Sequence, residues 1–481
     1  MQLQKLMKSQ GIEGPQYKLL HGNTKEANDM NAEAMKKTME LSHDIFPKVL
    51  PHIHAWMKLY GRNVLTWHGP KAQLVLTEPE LIKEVLNNKD GVFPKTDVDD
   101  YVKKLLGYGL ATSEGKKWAR QRKLANRAFH GEMLKGMIPT MISSAEIMLD
   151  GWRKYEGKEM EVFEEFRVLT SDVISKTAFG SSYLEGKDIF EMLMKLGDAT
   201  VRNFRKIRFP VIGKIIRTSD DIESDKLDQG MRKSIIKMIR YREEKLKEDS
   251  DAYGSGFLGL LVRAYKEADE NLRISLEDVI DECKTFYLGG HETTADLLTW
   301  AVLLLAMHTD WQDKARKEVI ELFGDKTLTL DDNSIPKMKM INMVINETLR
   351  LYPPVSMITR KVAREAKLGK YVLPPNMEVL IPILAIHSDP KIWGKDVHLF
   401  NPERFSEGVM KATNNSMGFL PFGLGPRICA GMNFATAEAK VALSMILQRY
   451  AFTLSPAYAH SPFQKLTIWP QHGAQIIIHS L

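Results

Sequence analysis

The sequence predicts a mainly α protein with a small β-rich subdomain. Apolar residues recur at helical spacing through residues 85–350 and 434–450, while strand-like pieces are few, short and set toward both chain ends. No internal repeat, low-complexity tract or linker separates independent domains, so one domain over 1–481 is expected. Its β-rich part spans about 58–80 and 355–385, and its helical part about 85–350 and 390–450. At roughly 150 residues per domain the 481 residues would allow about three domains, or one large α-rich enzyme. With 44% apolar and 27% charged residues, wholesale disorder, collagen-like repeats and a coiled-coil rod are excluded. The net charge of +6 is too small to argue for nucleic acid.

Taken in chain order, Met1–Gln10 is polar, lacks the apolar region of a signal peptide, and runs into an abrupt Gly11-Ile-Glu-Gly-Pro15, as though something preceded it. Strands are expected at Asn63–Trp67 and Gln73–Thr77 around a His-Gly-Pro turn, at Lys370–Leu373 and Glu378–Ile383 around Pro374-Pro375, and at Gln475–Ile478. The helix Lys116–Phe129 has two faces. Trp118, Arg122, Ala125 and Phe129 share one side, and Lys116, Arg120, Lys123 and Arg127 the other. A basic stripe of this kind reads first as a solvated face.

A long apolar helix, about Leu276–Met307, contains Gly289-Gly290-His291-Glu292-Thr293-Thr294. Its run Leu297–Met307 is too short for the roughly 20 residues of a bilayer span and reads as core. Mid-helix glycines cost about 1 kcal/mol each relative to alanine, so a plain core helix would avoid them. They suit either a small-residue helix crossing or the close approach of a flat ligand. Thr293 can bond back to the carbonyl of Gly289. In the helix Lys339–Leu351, Glu347 and Arg350 stand at i, i+3 and share a face, and Tyr352-Pro-Pro354 ends it. Apolar Met343, Val344, Ile345 and Leu349 argue that this pair is buried, where it needs further partners. Arg404, in Pro402-Glu-Arg-Phe405, is a candidate.

Only two cysteines occur, Cys283 and Cys429. Two thiols cannot build a four-cysteine zinc or iron–sulfur site, nor a disulfide framework, which points to a reducing compartment. Cys429 lies in Phe422-Gly-Leu-Gly-Pro-Arg-Ile-Cys-Ala-Gly431, just before a helix over Asn433–Tyr450. A cysteine there meets the positive end of the helix dipole, which favours thiolate. A metal that takes one protein sulfur is most plausibly haem iron. Taken alone, the segment also reads as a glycine turn around a buried cysteine.

The spacing of Phe422, Gly425, Arg427, Cys429 and Gly431 resembles the haem-binding signature of the cytochrome P450 family. Four further motifs follow that family in order from about Lys58 onward: W-x-x-x-R at Trp118/Arg122, the [AG]-G-x-[DE]-T-[TS] groove at Gly289–Thr294, ExxR at Glu347/Arg350, and the PERF box. The resemblance implies the P450 fold, with haem (heme b) between the acid–alcohol helix and the cysteine loop. Cys429 would be the axial ligand. Glu292 and Thr293 would deliver protons, through water, for heterolytic cleavage of the O–O bond. Trp118, Arg122, Arg360 and Arg427 would hold the haem propionates, while Phe422 and Gly431 belong to the cysteine-loop signature. Glu347, Arg350 and Arg404 would form a structural triad behind the haem. His291 occupies the free position of its motif and is read as facing away from the iron.

Finer features are similar to the plant branch that includes secologanin synthase and several gibberellin, cytokinin and triterpenoid oxidases: Gln10-Gly-Ile-x-Gly-Pro15, Asn433-Phe-Ala, Ser461-Pro462 and Pro470-Gln-His-Gly473. Gly289 stands where alanine is commoner and Met432 where glutamine is common. The family's usual N-terminal membrane anchor is not read in these residues, so the chain as given is expected to be a soluble polypeptide or one whose anchor has been removed. The implied function is a monooxygenase of a hydrophobic terpenoid, hormone or fatty-acid-type molecule, using NADPH through NADPH–cytochrome P450 reductase, at the cytosolic face of the endoplasmic reticulum membrane. The basic outer side of the Trp118 helix would meet the acidic reductase, and no nucleic-acid partner is expected. Pocket-lining stretches would be Phe93–Leu110, about Asn203–Ile216, Phe286–Thr294, Val355–Thr359 and about Ser461–Phe463. The alternation of apolar and basic residues in Val201–Arg217 suits either a surface helix pair or a monotopic membrane contact. Other functions left open are a haem-thiolate isomerase or lyase of a hydroperoxide, which needs no acid–alcohol pair, and a non-catalytic haem protein.

Overall fold

A computed structural model describes residues 2–204, 206, 217–248, 256–269, 273–324, 337–414 and 416–481. The chain forms two compact units, each assembled from three segments. The first comprises Met1–Asp97, Asn342–Cys429 and Leu454–Gln475, and the second Val98–Ile341, Ala430–Thr453 and Ile476–Leu481. The chain is mostly helical, with small sheets.

The first unit is built on a four-stranded sheet. Strand Val64–His68 pairs antiparallel with Lys71–Val75 across a two-residue turn at Gly69-Pro70, with Val64 opposite Val75. Lys71–Val75 then runs parallel to Glu378–Pro382, which pairs antiparallel with Met357–Lys361, setting Arg360 opposite Val379. Every residue of Glu378–Pro382 is buried, as expected for a strand inside a sheet covered on both faces. Strands stand on both sides of Pro374-Pro375, and Tyr371–Leu373 turns back at Gly369-Lys370 onto a strand at Ala366–Leu368, three residues long and too short to show alternation. One expectation is corrected here. Residues 390–431, expected to be helical, contain only four-residue helices at Pro390–Trp393 and Val409–Ala412 and two 3₁₀ turns among the described residues.

Four N-terminal helices were also not expected: Gln2–Ser9, Thr24–Met35, Phe46–Val49 and Pro51–Tyr60. The first carries Leu3, Leu6 and Met7 at helical spacing but is only eight residues long, and the second buries only Thr24, so neither gives an extended apolar stripe.

The second unit surrounds the helix Leu276–Met307, which matches its expected bounds. A capping box opens it: Ser275 Oγ accepts the Asp278 N–H, and the Asp278 carboxylate accepts the Ser275 N–H. From Ala295 to Ala306 every residue is buried, the signature of a helix enclosed on all sides. It packs against Val162–Ile174, and a Cβ on Gly290 would stand 2.6 Å from Ile174 Cγ1. Gly290 therefore serves a helix crossing. The helix Leu276–Met307 also packs against Asp100–Leu106, Phe257–Tyr265, Thr309–Phe323 and Met432–Arg449, and the helix Gly115–Ala128 belongs to the same unit. No helix among the described residues is long and apolar enough to cross a membrane.

Candidate functional site

The cysteine loop is shaped by backbone that only glycine tolerates easily. Gly423 and Gly425 have φ of +75° and +73°, and a Cβ on Gly425 would come within 2.4 Å of the Leu86 carbonyl oxygen. Gly425–Arg427 closes a 3₁₀ turn, with Ile428 N donating to Gly425 O at 3.0 Å. Cys429 N donates to Phe422 O at 2.9 Å, and Gly423 N to Leu420 O at 3.0 Å. These bonds hold the loop so that the Cys429 side chain is exposed, without a disulfide. Phe422 and Arg427 are half-buried on the same loop. Arg360, buried in its strand, donates from Nη1 to Thr359 O at 2.9 Å. The other cysteine, Cys283, is enclosed in the Leu276–Met307 helix, where burial pushes its thiol up, away from thiolate. Cys429 is the sulfur available to a metal.

Glu347 and Arg350 are 0% and 1% exposed, so their charges must be satisfied within the protein. Arg350 donates from Nε and Nη2 to the two Glu347 oxygens, each at 2.7 Å. Its remaining donors reach the carbonyls of Val397 at 2.7 Å, His387 at 3.2 Å and Leu399 at 3.2 Å, so all five N–H groups of the guanidinium are used. Glu347 also accepts the Asn401 amide at 3.0 Å. Arg404 enters the cluster less closely than a symmetric triad implies. Its Nε lies 3.6 Å from Glu347 Oε1, while its hydrogen bonds go to Asp396 and the Trp393 carbonyl. Those bonds hold the Asp396 carboxyl below its usual range.

The sequence reading passed over His387, which lies in the same cluster. Its Nδ1 is 3.0 Å from Arg350 O, and its Nε2 is 3.0 Å from Leu420 N. A lone histidine ending a five-residue helix offers no periodic or motif signal.

On the second unit, Glu292 is buried and Thr293 half-exposed in the Leu276–Met307 helix. Thr293 Oγ1 donates to Gly289 O at 2.9 Å while the helix remains continuous. A Cβ on Gly289 would meet nothing within 4 Å, so the open face of the glycine pair belongs to Gly289 alone. His291 is buried in the opposite sense, its Nδ1 on Tyr287 O at 3.0 Å and its ring against Phe190. Its Nε2 lies 3.4 Å from Glu292 Oε2, and its carbonyl accepts Thr170 Oγ1 at 3.0 Å. Burial lowers the His291 imidazole below its usual range, so it is neutral near pH 7.

Trp118 and Arg122 are half-buried on Gly115–Ala128, with Ala125 and Phe129 fully enclosed on that side. Lys116, Lys123 and Arg127 are exposed. Arg120 departs from this outer stripe: it is half-buried and donates from Nη1 to Arg273 O at 3.1 Å. Of the apolar–basic segment Val201–Arg217, residues 205 and 207–216 lie outside the described residues, and with them most of the proposed membrane contact.

The first unit presents an exposed thiol on a rigid loop together with the guanidinium side chains of Arg360 and Arg427, a donor set that suits an anionic, iron-bearing cofactor. The second unit, taken by itself, has an open helix face at Gly289 on the helix that carries Glu292 and Thr293, and an indole and a guanidinium at Trp118 and Arg122.

The family model for cytochrome P450 matches residues 42–478. Similar proteins include cytochrome P450 CYP749A22 of Panax ginseng, 53% identical over all of this chain and 92% of that protein. Cytochrome P450 CYP72A616 of Paris polyphylla is 41% identical, covering all of this chain and 93% of that protein. The 11-oxo-beta-amyrin 30-oxidase of Glycyrrhiza uralensis is 41% identical with the same coverage.

Proposed function

The chain belongs to the cytochrome P450 family, and from that premise we propose that it inserts one oxygen atom from O2 into a C–H bond of a terpenoid-like hydrophobic molecule. The family implies haem with a cysteine ligand, a redox partner and a hydrophobic substrate. The observation that carries the reading is the exposed Cys429 on its glycine-shaped loop, the other cysteine being enclosed. Bound haem supplies the electron-transfer and dioxygen chemistry.

The chain's own residues have distinct tasks in this proposal. Cys429 would hold the iron, and Arg360, Arg427, Trp118 and Arg122 would bind the cofactor's carboxylates, where forked guanidinium donors match carboxylate geometry. Glu292 and Thr293 would hold and pass protons, the threonine hydroxyl exchanging its bond to Gly289 O for one to water. Glu347, Arg350 and Arg404 would be a scaffold. NADPH–cytochrome P450 reductase would supply electrons, steered to the exposed Lys116, Lys123 and Arg127. The presence of Glu292 and Thr293 favours the monooxygenase over a hydroperoxide isomerase or lyase. We place the protein at the cytosolic face of the endoplasmic reticulum membrane.

The test is a panel of triterpenoids, gibberellins and fatty acids screened for spectral shifts of the haem-loaded protein, followed by turnover of those that bind. Product formed with O2, NADPH and reductase supports the proposal. Product formed from a hydroperoxide alone, with none under the first conditions, contradicts it.

A further inference from the structure

His387 is 1% exposed, and both of its ring nitrogens face main-chain atoms. The Leu420 amide can only donate, so Nε2 accepts and the ring proton must sit on Nδ1, where it is given to the Arg350 carbonyl. The partners alone fix the tautomer. Burial, reinforced by the Arg350 cation, pushes the imidazole down to about 3, so it is neutral near pH 7.

The contact with Arg350 is reciprocal. Arg350 Nη1 donates to the His387 carbonyl at 3.2 Å while the His387 ring donates to the Arg350 carbonyl at 3.0 Å. The ring stacks on Phe419, centroids 5.6 Å apart at 22°, and meets Trp393 edge-on at 6.0 Å. Trp393 in turn carries the Arg350 guanidinium 5.2 Å above its ring. Beyond His387 the bonding continues into the cysteine loop: Leu420 O accepts Gly423 N, and Phe422 O accepts Cys429 N. All of these residues belong to one unit.

We propose that His387 is a positioning residue for Cys429. It transmits the rigid placement of the buried Glu347–Arg350 pair to the first residues of the cysteine loop, and so sets where the sulfur is held. An apolar residue could fill the same space between Phe419 and Trp393, but it would leave the Leu420 amide buried without an acceptor. The proposal rests on the haem-thiolate reading for its consequence, though not for the hydrogen bonds themselves.

Two variants separate the two ring nitrogens. In His387→Asn the side-chain amide can still donate to Arg350 O, but nothing reaches Leu420. In His387→Gln the amide oxygen reaches the Nε2 position and restores the acceptor. Hydrogen exchange of the 416–431 stretch should be at least roughly tenfold faster in His387→Asn, with and without haem, and should return toward wild type in His387→Gln. The reduced-CO spectrum should shift from thiolate type toward thiol type in the first variant and recover in the second. Wild-type exchange and spectrum in a folded His387→Asn protein would overturn the proposal, as would equal impairment of both variants. In the wild type, ¹⁵N-histidine NMR should show this ring protonated on Nδ1 alone at neutral pH. Protonation on Nε2 would refute the proposal however the variants fold. If the wild type lacked the thiolate-type spectrum, the haem-thiolate reading would fail, and exchange and tautomer would still decide the role of His387.

Discussion

Replacing Glu347 with glutamine removes one charge from the most enclosed ion pair of the first unit while preserving shape. The carboxylate accepts from Arg350 Nε and Nη2 at 2.7 Å and from Asn401 N at 3.0 Å, with Arg404 Nε at 3.6 Å. Glutamine keeps one acceptor oxygen but turns an NH2 donor toward an Arg350 N–H. One charge-assisted bond, about 1.5–3 kcal/mol, is lost outright. The larger cost is that the Arg350 cation, with no water to solvate it, loses its counter-charge. Removing one partner of a buried pair costs about 3–5 kcal/mol in total. The assay is urea unfolding followed by tryptophan fluorescence, because Trp393 lies against the Arg350 guanidinium and reports its release. Glu347→Gln should lose about 3–5 kcal/mol and bind haem poorly. A loss below about 1 kcal/mol, with normal haem uptake, would refute the view that this pair braces the fold.

The two adjacent glycines of the central helix should respond oppositely to alanine. Gly290→Ala drives a methyl into Ile174 and should cost about 1–3 kcal/mol in unfolding measurements, whereas Gly289→Ala points into open space and should gain up to about 1 kcal/mol of helix propensity. Burial pushes the Glu282 carboxyl up to about 8, so the folded state retains a proton that the unfolded chain gives up above its usual value near 4.5. The contribution of this carboxyl to stability should therefore fall as pH rises from about 5 to 8, and Glu282→Gln should remove that part of the pH dependence and gain a few kcal/mol over the wild type at pH 8 in unfolding measurements across that range. Thr293→Ala should leave the melting temperature nearly unchanged, since its bond to Gly289 O lies within one helix, but should lower product formed per NADPH consumed.

Features governed by local chemistry were legible in the sequence. The bounds of Leu276–Met307 follow from a capping Ser275 at its start and the apolar run Leu297–Met307 at its end. The Glu347–Arg350 contact follows from i, i+3 spacing on a helix with apolar neighbours. The turn chemistry of the cysteine loop follows from glycines that stand where φ is positive. Features that depend on distant partners were not legible. His387 acquires its meaning from a carbonyl at Arg350 and an amide at Leu420, far from it along the chain. Arg404 was read as a partner of Glu347, but Asp396, eight residues before it, takes the shorter bonds. Gly289 and Gly290 look equivalent in a sequence, and only the position of Ile174 shows that one serves packing and the other an open face.

The most direct test of the account is the reduced-CO difference spectrum of the hemin-loaded protein beside its Cys429→Ala variant. The wild type should give the thiolate-type band and the variant should lose it, whereas Cys283→Ala should retain it. A thiolate-type band that survives in Cys429→Ala, or one that never forms in the wild type, would contradict ligation of iron by Cys429.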